Sequence, residues 1–147
     1  MITVLLVEDN IGDIELVQEA FETVKVQLHM EIVRDGVEAM SYFQQKLETN
    51  SGTLPDLVLL DLNLPRKSGR EVLADIRADE RLKHIPVVVL TTSDAEQDVL
   101  KSYQIGANAY VTKPIGLGGL SKIVNLMEEF WFTIVKLPPS NRTIAEY

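Results

Sequence analysis

"LVLLDLNLP", residues 57–65, decides the fold. Four apolar residues run straight into Asp61, and Asn63 and Pro65 follow within four positions. A short continuous apolar run of this kind, ended by turn residues, reads as a strand buried on both faces. An unpaired charge in an apolar core is costly, so a carboxylate closing such a strand needs a partner, water or a task.

The same alternation repeats on both sides of this stretch. "ITVLLV" (2–7) reads as a doubly buried strand, followed by a helix with Ile14, Val17, Phe21 and Val24 on one face. "LHMEIV" (28–33) is a weaker strand, and Val37, Met40, Phe43 and Leu47 mark a second helix. "LETNSGTLPD" is polar and turn-rich, a loop. After residue 61, "SGREVLADIRADERL" reads as a helix with Val72, Leu73 and Ile76 inward. "IPVVVLT" (85–91), a helix over roughly 95–104 and "ANAYVT" (107–112) come next. A last helix runs from Leu117 through Leu120, Val124 and Met127 to about Phe130–Ile134. Near-continuous apolar strands alternating with helices predict an α/β fold: a doubly wound parallel sheet of five strands with helices on both faces. In open sheets of this type, ligands bind beyond the carboxyl ends of the strands.

The 147 residues suit one domain with a substantial core, and 46% hydrophobic content excludes a disordered chain. A net charge of -8 argues against a nucleic-acid surface. The absence of cysteine excludes disulfides and thiolate chemistry and fits a cytoplasmic protein. The N-terminus "MITVLLVEDN" has no basic region and its apolar run is too short for a signal peptide. No apolar run approaches the length of a membrane span.

The predicted strand ends carry the chemistry. Strand 1 ends on Glu8 and Asp9, strand 3 on Asp61, strand 4 on Thr91 with Thr92 and Ser93 after it, and strand 5 near Lys113. Each group alone has an ordinary structural reading, as helix cap, turn or strand exit. Their coincidence at one end of one sheet points to a shared site. Three clustered carboxylates repel one another, and a divalent cation relieves the repulsion. Magnesium suits them because it is hard and prefers oxygen, whereas zinc would call for His or Cys, which are missing from these strand ends. A metal, a lysine and a hydroxyl around one carboxylate form a site for phosphoryl transfer to that carboxylate.

With these motifs in order, "LLVEDN", "LVLLDLNLP", "SGREVLADIR", "IPVVVLTTSD" and "GANAYVTKPI", the chain over about residues 2 to 130 resembles the receiver domain of two-component response regulators. The resemblance implies strand order 2-1-3-4-5, a receiver over residues 1–135 and a C-terminal extension over 136–147. It implies Asp61 as phosphoacceptor, and magnesium held by Asp9, Asp61 and the Asn63 carbonyl, with Glu8 acting mainly through metal-bound water. Thr91 and Lys113 would contact the phosphoryl group, and Tyr110 would be an aromatic switch following Thr91. Asn63 and Ser93 would tune the phosphoryl lifetime, with Thr92 limiting the path of the attacking water. A cis bond before Pro114 is usual in the family.

The protein would then be a phosphoacceptor that assists its own phosphorylation and dephosphorylation rather than an enzyme, signalling through protein contacts. Within the family it looks most like the stand-alone regulators paired with phytochrome-type sensor histidine kinases, on "DLNLPRKSGREVLADI", "VVVLTTS" and "FWFTIVKLP". The surplus of apolar residues at Phe130, Trp131, Ile134 and Val135 predicts a homodimer through the last helix, a prediction that the resemblance strengthens. The rival reading is a magnesium-dependent aspartyl phosphohydrolase, which would normally need a second acid where this chain has Asn63.

Overall fold

Strand β1 (Ile2–Val7) lies between β2 (Leu28–Val33) and β3 (Leu57–Leu60), and β4 (Val87–Thr91) and β5 (Ala109–Thr112) extend the sheet beyond β3. All pairings are parallel and the order is β2-β1-β3-β4-β5, as expected. This is a computed structural model, and it describes residues 1–49, 53–134 and 136–138. Val135, the side chain of Ile134 and residues 139–147 of the expected extension lie outside the described residues.

The apolar residues of the strands divide by parity, because successive side chains point to opposite faces. Leu5, Val7, Val58, Leu60, Val87 and Val89 face α2 (Gly36–Thr49) and α3 (Gly69–Ala78). Val4, Leu6, Leu57, Leu59, Val88 and Leu90 face α1 (Ile11–Phe21) and α5 (Gly116–Met127). The edge strand β2 carries His29 and Glu31 among partly exposed residues, which suits an edge with one solvated side.

Several helical expectations need correction. Helix α1 ends at Phe21, so Val24 lies beyond it and packs on the core from the following turn. Val37 is exposed, at the outer side of the first turn of α2. Helix α3 stops at Ala78, and Leu82 is buried from the turn that follows. Helix α4 (Glu96–Ile105) precedes β5, which starts at Ala109 because Asn108 is occupied with β4: its side chain accepts from the Val87 N–H. No peptide bond among the described residues is cis, so the bond before Pro114 is trans, the lower-energy isomer of an X–Pro bond.

After Met127 the chain widens into a π-helical segment, Glu128–Ile134. Trp131 and Phe132 pack against the α1/α5 side of the core, while Phe130 is exposed. The inward stripe Leu120, Val124, Met127 continues four residues on, at Trp131. The Glu128 carboxylate accepts from the backbone N–H groups of Lys25 and Val26, tying this segment to the turn after α1.

Candidate functional site

Backbone register brings the strand-end residues together. Val7 pairs with Leu60, so Glu8 and Asp61 emerge side by side. The ladder runs on past the strands: Glu8 N–H donates to Val33 O, Asp61 N–H to Val7 O, and Lys113 N–H to Thr91 O. Each functional side chain is therefore held by a strand-like hydrogen bond at its own backbone. Helix α3 begins against the same point. A Cβ on Gly69 would come within 2.1 Å of the Asp61 carbonyl oxygen, so only glycine permits this approach.

Asp61 is 6% exposed. Its Oδ1 accepts from the Thr91 hydroxyl at 2.7 Å and from the Asn63 N–H at 3.1 Å, and its Oδ2 accepts from Lys113 Nζ at 3.1 Å. Lys113 also reaches Asp13 Oδ2 at 2.9 Å and touches the Glu8 carboxylate. Its ammonium thus serves three carboxylates, and its three donors are all used. Asp13 is a partner that strand-end reasoning missed. It lies in the first turn of α1, where only a spatial contact and no strand-end position could reveal it.

Burial and charge act differently on the members. Burial pushes the Glu8 carboxyl up to about 7, and the contact with Lys113 only partly offsets this. Burial also works against ionised Asp61, but the Thr91 hydroxyl, the Asn63 N–H and Lys113 outweigh it and hold that carboxyl below the usual range. Lys113 lies above the ordinary lysine value, because its bonds to Glu8 and Asp13 and the charges of Asp61 and Glu8 overcome its burial. At neutral pH the site therefore holds an ionised Asp61 beside a fixed ammonium.

Glu8, Asp9 and Asp61 each offer an oxygen within 4.8 Å of one another. Three carboxylates with no His or Cys among them make a donor set for a hard divalent cation. Thr92 is exposed and Ser93 half-buried, one and two residues past Thr91. The Tyr110 hydroxyl donates to the Ser93 carbonyl at 2.7 Å, which places Tyr110 against the loop that follows Thr91.

The model of the response regulator receiver domain matches residues 4–125. The chain belongs to the response regulator receiver family. This receiver is 50% identical over 135 residues to the response regulator Rcp1 of Synechocystis sp., covering 92% of each chain. Among solved structures, the Mn2+-bound form of Rcp1 superposes with a TM-score of 0.86 at 48% identity, covering 95% of this receiver and 100% of that chain. The phosphorylated cyanobacterial phytochrome response regulator RcpA gives the same TM-score at 50% identity, covering 93% and 98%. The receiver is thus a signalling protein of the response-regulator type, and this reading displaces the phosphohydrolase. Among its described residues, no helix is long and apolar enough to cross a membrane.

Proposed function

We propose that this receiver takes a phosphoryl group on Asp61 from a phosphohistidine of a sensor histidine kinase and signals through protein contacts. One observation carries the reading: a buried, ionised Asp61 whose two oxygens are held by Thr91 and Lys113. Attack by an Asp61 oxygen on phosphorus forms the acyl phosphate as the P–N bond breaks, its electron pair passing to the departing imidazole. The Lys113 ammonium and the Thr91 hydroxyl then turn from the carboxylate to the phosphoryl oxygens, where charge is greatest. Asp9, Asp61 and the Asn63 carbonyl would hold magnesium directly, with Glu8 acting through water. The ion supplies charge neutralisation at the phosphoryl oxygens. Tyr110 would follow Thr91 through the Ser93 carbonyl. Asn63, Thr92 and Ser93 would set how readily water reaches the acyl phosphate, so that the receiver also assists its own dephosphorylation.

The kinase is of the phytochrome type, a reading supported by the relatives' names. A cytoplasmic location fits the lack of cysteine. The receiver would span 1–135, with 136–147 as an extension. The segment containing Phe130, Trp131, Ile134 and Val135 would join two copies. Exposed Phe130 and Leu126 flank an open apolar groove of about 270 Å³ between β5 and α5, which supports that surface. Light scattering should give a dimer mass for the wild type and a monomer for Phe130→Asp; a monomeric wild type, with and without phosphoryl group, would refute it.

The central test is phosphorylation by a small-molecule donor with magnesium. Intact mass should show one base-labile adduct on the wild type and none on Asp61→Asn. An undiminished adduct on Asp61→Asn would overturn the assignment.

A further inference from the structure

Asp61 directly follows β3 and Thr91 closes β4, and one ion pair away from these strand ends bridges the helices that follow them. Arg70 lies in the first turn of α3, next to Gly69, which rests on the Asp61 backbone. Asp98 lies in the first turn of α4. The Arg70 guanidinium pairs with Asp98 Oδ1. The other oxygen, Asp98 Oδ2, accepts from the Ser93 hydroxyl at 2.6 Å. That same hydroxyl accepts from the Ala95 N–H at 3.4 Å, at a helix start where Ala95 has no capping side chain of its own. Ser93 is gripped a second time, by the Tyr110 hydroxyl on its carbonyl. The loop two residues past Thr91 is thus tied to α3 through Ser93, Asp98 and Arg70.

The consequence rests on Asp61 being the phosphoacceptor. Thr91 now donates directly to Asp61 Oδ1. An acyl phosphate places the acceptor oxygens farther from the Asp61 carboxyl carbon. For its hydroxyl to follow them, Thr91 and the loop behind it must shift. The tie from Ser93 to Arg70 resists that shift, because Asp98 cannot follow the loop without leaving the guanidinium.

We infer that Arg70 and Asp98 are a positioning pair that holds the loop after Thr91 in its present place and so sets how readily the receiver adopts its phosphoryl-bound form. Neither residue touches Asp61 or its partners in the site. The pair is partly exposed, with side chains 37% and 23% accessible, so its influence is graded rather than absolute.

The test uses beryllium fluoride with magnesium, a tetrahedral stand-in for the phosphoryl group, titrated into wild type, Arg70→Gln, Arg70→Lys and Asp61→Asn. Binding is followed by the NMR signal of Tyr110. Arg70→Gln keeps the Ser93–Asp98 bond and should bind about two- to fivefold more tightly than wild type. Arg70→Lys, which restores the charge, should return most of the way. A merely structural role would lower unfolding stability without tightening binding. Binding by Arg70→Gln that equals or falls below wild type overturns the inference while leaving the phosphoacceptor reading intact. Failure of wild type to bind, or equal binding by Asp61→Asn, overturns both.

Discussion

Two cations sit at opposite ends of the same sheet and are treated in opposite ways. Lys113, beyond the carboxyl end of β5, is surrounded by Glu8, Asp13 and Asp61. Arg77, at the end of α3, faces the amino ends of β4 and β5 and is held by neutral oxygens. Its Nε donates to Gly106 O at 2.8 Å, and its terminal nitrogens donate to Lys83 O at 3.1 Å, Ile85 O at 2.8 Å and Asn108 Oδ1 at 2.8 Å. The planar guanidinium joins two loops in one fixed fork, a structural clamp. The lysine end is electrostatically unfinished, with more carboxylates than the one ammonium can neutralise. An excess of negative charge there invites a divalent cation, and the lysine ammonium can be shared with an incoming anion. The difference separates a joint from a working site.

The largest loss of stability is expected at the arginine clamp. Arg77→Ala should lower unfolding stability by about 3 kcal/mol, since several backbone and side-chain oxygens lose their donor together. Urea denaturation measures this, and Arg77→Lys should recover little because an ammonium cannot reproduce the fork. Phosphoryl acceptance by the folded fraction should stay near wild type. A stability loss below about 1 kcal/mol would mean that the clamp is ornamental.

At the other end, Lys113→Ala should reduce the rate of phosphoryl acceptance about a hundredfold, the usual scale for removing one preorganised donor to a transferring group. Stopped-flow or intact-mass time courses with a small donor read it directly. A rate within about threefold of wild type would remove Lys113 from the chemistry.

Glu8 sharpens the contrast through pH. Its folded value is raised from 4.5 to about 7, so the folded state binds this proton more tightly than the unfolded chain does. The resulting stability is fully present below about 4.5 and is lost as pH rises through about 7. Metal-free protein should therefore lose about 2–3 kcal/mol across that window. Glu8→Gln should flatten the curve, and so should magnesium, which favours the ionised carboxylate. An unchanged slope in Glu8→Gln would show that the pH dependence comes from elsewhere. At the Arg77 end the sign is opposite: burial and the Arg77 charge hold the His84 imidazole below its usual value, so its contribution to stability is lost as pH falls.

Thr92→Ala is the smallest expected effect. Thr92 is exposed beside the site, and removing its bulk should speed loss of the phosphoryl group about two- to threefold, well under 1 kcal/mol. An unchanged decay rate would dismiss the steric role.

Much of this was legible in the residues because strand ends are marked twice, by the end of an apolar run and by the polar residue that closes it. Asp61, Thr91 and Lys113 could be placed from "LVLLD", "VVVLT" and "AYVTK" without knowing any contact. Contacts between helices leave no such mark. Asp13, Arg70, Asp98 and Arg77 each read as an ordinary charge on a helix, and only folding reveals that Asp13 joins Lys113 or that Arg77 spans two loops. Helical periodicity also does not say where a helix stops. Val24 keeps the spacing of α1 but lies past its end. Phe130 is apolar at a plausible spacing, yet the stripe passes through Trp131 instead.

The strand order has a consequence for the chain as it is made. Residues 2–7 form a strand whose two neighbours are residues 28–33 and 57–60, so its second partner leaves the ribosome some fifty residues after it. Until then the apolar first strand keeps one open edge, the exposure that makes nascent chains prone to misassociation. The site is more dispersed still, running from Glu8 to Lys113. A nascent chain has the Asp61 carboxylate long before it has the Lys113 ammonium that pairs with it. With Asp61 as the proposed acceptor, a chain ended before Lys113 is expected to be silent rather than half-active.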